Sequence, residues 1–226
     1  MRLSLALLIF LISGAVFAQY KYGLNPVGWD EYEAQVSRDG SYELVDLEKA
    51  IPGIKLDIRY ATTHNFTGDV IYDLAKAYAR LPVAAALAEV QRELKKSGYE
   101  LKIFDGYRPY SATVKFYEVY GDTTFVASPF RGSRHNRGCA LDLTIVNSKT
   151  GEELKMPTGY DSFEEAASPT YPIKNKEVRK NRDYLIKVME KHGFKVYASE
   201  WWHFDFVGWE KFDVMDITFE KLEKQK

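Results

Sequence analysis

The chain has 226 residues, with 31 basic and 32 acidic side chains and a formal net charge of −1 at pH 7. This balance provides no electrostatic footprint for nucleic acid or an acidic membrane surface, so we expect neither as a partner. The sequence contains a single cysteine, which excludes an internal disulfide.

The first residues have the pattern of a secretory signal peptide. Arg2 supplies the positive n-region, residues 3–12 form a run that is apolar except for Ser4, and the small residue Ala18 ends a cleavage site. The apolar run is too short to span a bilayer. We therefore expect residues 1–18 to be removed, and residues 19–226 to form one exported domain in the periplasm or outside the cell, without stable membrane insertion.

Residues 20–98 predict an irregular segment, two short strands and one helix. Residues 20–43 lack periodicity and predict an irregular surface segment, whereas residues 45–47 and 54–60 resemble strands. Pro82 suits the first turn of a helix, which the cations and glycine of residues 95–98 should end. His64 lies in a polar loop without a carboxylate or second histidine at ligand spacing, which favours an ordinary loop residue.

A strand over residues 101–105 leads into a tight Gly-Tyr-Arg-Pro turn. This turn places Arg108 at the end of a strand, where rigid scaffolds commonly hold functional groups. Ser111 predicts the cap of a helix that ends near Gly121. The connection over residues 147–172 is long enough to form a lid or wall of a site.

Later in the chain, Asn175 can cap a helix that reaches Lys191. Residues 194–197 predict another strand. The helices that begin near Pro82 and Asn175 should pack against a central sheet. These elements predict an α+β fold with a mainly antiparallel sheet that carries the functional site on one face.

A candidate metal site begins around residues 132–142. From Ala140 the sequence alternates as a strand does, so Asp142 shares a face with a small alanine, while Leu141 and the neighbouring odd positions face a core. Gly138 permits the bend that would bring His135 back toward Asp142. Cys139 is at an odd-numbered position and so lies on the apolar face, which favours a small buried residue over a metal ligand.

The second half of the candidate site is Glu-Trp-Trp-His at residues 200–203. His135, Asp142 and His203 offer two nitrogens and one oxygen, a set that suits one zinc ion with an open fourth position. Glu200 is then a carboxylate available for general acid–base catalysis. Residues three apart do not share a face of a regular strand, so we expect Glu200 on a turn just ahead of the strand that His203 begins.

These motifs resemble those of the zinc D-alanyl-D-alanine dipeptidases. The resemblance rests on Ser-x-His-x-x-Gly-x-Ala-x-Asp at residues 133–142, on residues 200–203 and on the Asp-Gly-Tyr-Arg-Pro turn, and it extends to Tyr-Ala-Thr at residues 60–62 and to residues 156–161. It implies zinc on His135, Asp142 and His203, with Glu200 as general acid/base. It also implies a hedgehog-like peptidase fold and a small dipeptide as substrate.

The resemblance implies three further roles. Arg108 would bind the oxygen of the scissile carbonyl, Ser133 the substrate carboxylate and Asp161 the substrate ammonium. Two alternatives remain open from the sequence: a zinc D,D- or L,D-carboxypeptidase that acts on peptidoglycan stem peptides, and a zinc-binding module without catalysis.

Overall fold

The computed structural model describes residues 21–123 and 126–224. The signal peptide predicted over residues 1–18 lies outside this part of the chain. Among the described residues, no helix is both long enough and apolar enough to cross a membrane.

A five-stranded sheet forms the centre of the fold, with the strand order β2-β4-β5-β7-β6. The pairs β4–β5, β5–β7 and β6–β7 are antiparallel, and only β2–β4 is parallel. Its strands are β2 (Lys55–Leu56), β4 (Tyr99–Asp105), β5 (Ala140–Asn147), β6 (Phe194–Tyr197) and β7 (Glu200–Phe206). The predicted α+β fold with a mainly antiparallel sheet is confirmed.

A second, two-stranded sheet pairs β1 (Leu44–Asp46) with β3 (Tyr78–Arg80) in antiparallel register. The α-helices of the described residues are α1 (Trp29–Arg38), α2 (Leu47–Ala50), α3 (Leu81–Lys96), α4 (Tyr110–Tyr120), α5 (Lys176–Lys191) and α6 (Phe219–Lys224).

The two long helices α3 and α5 flank the sheet as the apolar spacing predicts. Helix α3 contacts β4, helix α5 contacts β6, and the two helices contact each other. Leu87 and Leu94 of α3 and Leu185 of α5 are fully buried. The Asn175 side chain accepts hydrogen bonds from the first backbone N–H groups of α5, as expected for an N-cap.

Two sequence predictions near the N-terminus are wrong. Residues 20–43 are not irregular throughout, because helix α1 buries Tyr32 and Gln35, which lie one turn apart. The strand predicted over residues 54–60 is reduced to β2, because the chain turns into a 3₁₀ helix at Arg59–Ala61. The alternating Ile54 and Ile58 are buried nonetheless.

Strand β5 lies in the middle of the sheet and is buried from Ala140 to Val146. Leu141, Leu143 and Ile145, together with Cys139, belong to the hydrophobic core, as the alternation predicts. Asp142 and Thr144 lie on the opposite face, so Asp142 is available to the site rather than to the core.

Candidate functional site

His135 lies on a short 3₁₀ helix, His135–Arg137, just before β5. Gly138 ends this helix with φ of +70°, and a β-carbon there would lie 2.8 Å from the Leu44 Cδ2 atom. The bend therefore requires glycine, as predicted. The Nδ1 atom of His135 lies 2.7 Å from the Gly106 carbonyl oxygen and must donate to it, which leaves Nε2 as the unprotonated nitrogen.

Asp142 and His203 face each other directly across β5 and β7. The Nδ1 atom of His203 lies 3.0 Å from Asp142 Oδ1 and 3.2 Å from His135 Nε2. The remaining pair, His135 Nε2 and Asp142 Oδ1, is 3.4 Å apart. Zinc bonds of about 2.0–2.2 Å in tetrahedral geometry place ligand atoms about 3.3–3.5 Å apart, so the spacing of the three atoms is close to that of a zinc ligand set.

The outer contacts of these ligands support the same assignment. The Nε2 atom of His203 donates to Asp205 Oδ1 at 3.0 Å, which directs Nδ1 inward, toward His135 and Asp142. The Tyr160 hydroxyl donates to Asp142 Oδ2 at 3.1 Å. Metal-binding histidines and carboxylates are commonly oriented by such hydrogen bonds.

The Oδ1 atom of Asp142 is buried and accepts no hydrogen bond of good geometry from the described residues. Burial opposes ionisation, yet the imidazoles of His135 and His203 hold the pKa of Asp142 well below its usual range. The site therefore combines an ionised carboxylate oxygen with two inward-facing imidazole nitrogens. A divalent cation satisfies all three, and these residues fit zinc.

The structure corrects the prediction for Glu200, which belongs to β7 rather than to a preceding turn. A register shift between Val196 and Tyr197 pairs Tyr197 with Glu200 while Val196 pairs with Phe204. The extra residues of this bulge bring Glu200 and His203 onto one side, with Glu200 Oε2 3.6 Å from His203 Nδ1. Burial raises the pKa of Glu200 above that of an ordinary glutamate, which suits a general base.

Arg108 follows β4 and is held rigidly at the edge of the site. Its Nε and Nη2 atoms donate to Asp105 Oδ2 at 3.0 and 2.7 Å, and its guanidinium stacks over Phe116 and Tyr60. Burial disfavours the charged form, but Asp105 keeps the pKa of Arg108 well above its usual value. Arg108 is therefore a fixed cation, with Nη2 4.0 Å from Asp142 Oδ2.

One cavity of about 510 Å³ contains this arrangement. The structure places all seven predicted site residues in its lining: Arg108, Ser133, His135, Asp142, Asp161, Glu200 and His203. The predicted wall over residues 147–172 contributes Asp161 and Phe163 to the lining.

Asp161 and Ser133 differ in how firmly they are held. Asp161 has φ of 59° and accepts a 2.8 Å hydrogen bond from the Tyr60 hydroxyl. Burial raises the pKa of its carboxyl group to about 8. The Ser133 hydroxyl oxygen accepts a hydrogen bond from the His135 backbone N–H at 3.2 Å. Asp161 thus provides a carboxyl group whose position is fixed, whereas Ser133 provides a hydroxyl at the start of the turn that carries His135.

Sequence reasoning missed several residues that support the site. Asp105 and Tyr160 orient Arg108 and Asp142, and neither follows from a ligand spacing. Asp205 could have been found, because it shares the strand face of His203. Arg134 pairs with Asp205 at 2.7 Å, but the sequence could not predict this contact, because the two residues are 71 positions apart.

Comparison with known proteins agrees with the geometry. A family model described as D-ala-D-ala dipeptidase matches residues 40–220. The chain belongs to this family of peptidases. The D-alanyl-D-alanine dipeptidase of Escherichia coli K12 is 34% identical over 163 residues, which cover 72% of this chain and 84% of the relative. The Enterococcus faecalis enzyme of the same name is 32% identical over 182 residues, 71% of this chain and 90% of the relative.

Solved structures similar to this family member include the LdcB LD-carboxypeptidase, with a TM-score of 0.39 and 25% identity over 59% of this chain and 61% of that chain. The structure of VanYB in complex with D-alanine-D-alanine has a TM-score of 0.38 and 16% identity, over 59% of this chain and 74% of that chain. The predicted resemblance to the D-alanyl-D-alanine dipeptidases is confirmed by the family match.

Proposed function

We propose that this protein is an exported, zinc-dependent dipeptidase that hydrolyses D-alanyl-D-alanine to two molecules of D-alanine. One observation carries the proposal. His135 Nε2, Asp142 Oδ1 and His203 Nδ1 lie 3.0–3.4 Å apart beside Glu200, in a cavity that also contains Arg108. Family membership supports the same reaction.

His135, Asp142 and His203 would hold one zinc ion per chain. When bound, zinc supplies the Lewis acidity that activates water at neutral pH. Glu200 takes a proton from the attacking water and later delivers it to the leaving amine, for which its raised pKa is suited.

Arg108 stabilises the negative charge that develops on the scissile carbonyl oxygen. Its orientation is fixed before the substrate binds, because Asp105 holds two of its nitrogens. A preorganised donor of this kind requires no rearrangement during the reaction.

The substrate is a small zwitterion, so both of its ends need a partner. Asp161 is proposed to bind the ammonium, and its hydrogen bond from Tyr60 fixes the carboxylate in the cavity wall. Ser133 is proposed to contact the carboxylate end. The signal peptide predicted over residues 1–18 supports action on wall fragments outside the cytoplasm, in wall turnover or scavenging.

The function is tested by incubating zinc-loaded protein with D-Ala-D-Ala, L-Ala-L-Ala and an acylated pentapeptide that ends in D-Ala-D-Ala. We expect cleavage of the free D,D-dipeptide in preference to the other two. Preferential cleavage of the pentapeptide would identify a carboxypeptidase instead. No turnover of any wall peptide would favour a non-catalytic zinc-binding module. Sequencing the N-terminus of the exported protein, expected at Gln19, tests the export proposal.

A further inference from the structure

Charged groups flank the candidate metal ligands on both sides across the sheet. The ligands Asp142 and His203 lie on the adjacent strands β5 and β7. On the β4 side, Asp161 contacts Tyr60, whose ring lies under the Arg108 guanidinium. On the opposite side, beyond β7, the edge strand β6 contributes Tyr197 to the cavity.

Arg134 occupies this second side. Its Nη1 atom donates to Asp205 Oδ2 at 2.7 Å, and Asp205 in turn holds His203 through its other oxygen. The guanidinium also lies 5.6 Å from the centre of the Tyr197 ring and 4.9 Å from that of Trp209. These contacts fix the side chain of Arg134 while leaving 33% of it exposed in the lining of the cavity.

The Arg134 guanidinium has N–H groups that remain available for a ligand. A guanidinium carries five N–H donors, and Nη1 is the only one of its nitrogens with a hydrogen bond to the described residues. The neighbouring Ser133 has only one hydroxyl, which already accepts from the His135 backbone. A guanidinium with free N–H groups binds a carboxylate through charge-assisted hydrogen bonds, which are stronger than those of a neutral hydroxyl.

We propose that Arg134 is a specificity-determining residue that binds the terminal carboxylate of the substrate. This inference rests on the proposed function. The ammonium then lies toward Asp161, the scissile bond lies over the metal ligands, and the carboxylate lies toward β6. Because Asp205 orients both Arg134 and His203, one side chain sets the spacing between the substrate carboxylate and a metal ligand.

Besides Arg108 and Arg134, two arginines line the cavity and provide matched comparisons. Arg137 donates to the Phe212 carbonyl and stacks over Trp209. Arg131 is exposed, and its side chain makes no hydrogen bond or ion pair with the part of the chain that the structure describes. Within the described ranges, neither side chain makes a hydrogen bond or ion pair with Asp205 or with a candidate metal ligand.

The test compares D-Ala-D-Ala with D-alanyl-D-alaninamide, which lacks the terminal charge. We expect the zinc-loaded wild type to prefer the acid by about 10-fold or more in kcat/KM, the range for a hydrogen bond to a charged group. In Arg134→Gln this preference should fall toward one, through a higher KM for the acid with kcat little changed. Arg134→Lys, which keeps a cation near Asp205, should retain part of the preference, and Arg131→Gln should retain all of it.

The zinc content and thermal unfolding of each variant show whether it is folded. If Arg134→Gln does not fold, the proposal is tested by comparing the preference for the acid over the amide in Arg134→Lys with that in Arg131→Gln. Loss of the preference in Arg131→Gln but not in the Arg134 variants would overturn the proposal, as would a wild type that cleaves acid and amide equally. If the wild type cleaves neither dipeptide, the proposed function itself fails, which is a separate result.

Discussion

The two imidazoles of the candidate metal centre are supported in different ways. His135 lies on a 3₁₀ turn, and its outer nitrogen donates to a backbone carbonyl, that of Gly106. His203 lies within a strand, and its outer nitrogen donates to a carboxylate, that of Asp205, which also pairs with Arg134. One half of the centre therefore depends on the path of the backbone and the other half on a chain of charged side chains.

The two halves are therefore sensitive to different substitutions. A carbonyl oxygen cannot be removed by substitution, so His135 can be disturbed only by displacing the backbone around it. The support of His203 can be removed at a single side chain. A carboxylate partner also makes an imidazole a stronger electron donor than a carbonyl partner does.

The largest effect is expected at Glu200, which lies on the His203 side. In Glu200→Gln the side chain keeps its size but cannot take a proton, so kcat should fall by about 10²- to 10⁴-fold. Zinc content should stay at one ion per chain, because Glu200 is not among the three converging ligands. Steady-state kinetics with metal analysis measure both quantities.

The matched control for this variant is Glu33→Gln on the exposed face of α1, which should leave kcat unchanged. A Glu200→Gln enzyme that retains wild-type turnover would remove Glu200 from the mechanism.

The support of His203 is tested by Asp205→Ala and Asp205→Asn. Loss of the partner that orients a metal-binding histidine commonly weakens metal binding by about 10- to 100-fold, and we expect a change of this size for Asp205→Ala. Asp205→Asn keeps an acceptor oxygen and should weaken zinc binding less. Competition with a chelator measures the dissociation constants. Equal zinc affinity in the wild type and both variants would contradict the role given to Asp205.

The support of His135 is tested by Gly106→Ala. A β-carbon at Gly106 would lie 2.7 Å from the Tyr78 carbonyl oxygen, so the backbone must shift. We expect a loss of about 1–3 kcal/mol in the free energy of unfolding, together with weaker zinc binding as the carbonyl moves away from His135. Chemical denaturation and chelator competition measure the two effects.

Gly40→Ala serves as the control for this substitution, because a β-carbon there meets no atom within 4 Å. It should change the free energy of unfolding by less than about 0.5 kcal/mol. Gly106→Ala with the stability and zinc affinity of the wild type would show that His135 does not depend on this backbone contact.

The smallest effect is expected at Cys139, which lies between His135 and Asp142 in the sequence but belongs to the hydrophobic core and not to the candidate ligand set. Burial raises the pKa of the Cys139 thiol to about 12, so the reactive thiolate forms only well above neutral pH. We expect iodoacetamide at pH 8 to leave the folded protein unmodified and to label the unfolded protein, as measured by mass spectrometry. Equal labelling of both states would place the thiol at the surface.

Much of the fold and the candidate metal ligands followed from local sequence patterns. The alternation after Ala140 predicts the face of Asp142, and Gly138 predicts the bend that carries His135, because both depend on short-range backbone geometry. Asn175 predicts the start of α5 for the same reason. These features were predictable because each is determined within a few residues.

The features that were missed depend on distant parts of the chain. The position of Glu200 depends on a bulge whose register is set by pairing with β6, and regular strand geometry gives the wrong face. Arg134 and Asp205 meet only because β5 and β7 are neighbours. Tyr160 reaches Asp142 from the long connection, whose path has no periodic signal.

Titration of metal-stripped protein with zinc shows whether His135, Asp142 and His203 bind one catalytic zinc ion. We predict one zinc ion per chain, with D-Ala-D-Ala hydrolysis restored in proportion to zinc bound, and loss of tight binding in His135→Ala and His203→Ala. Hydrolysis that persists in the metal-stripped protein, or tight zinc binding that survives both substitutions, would show that these three side chains do not bind a catalytic zinc ion.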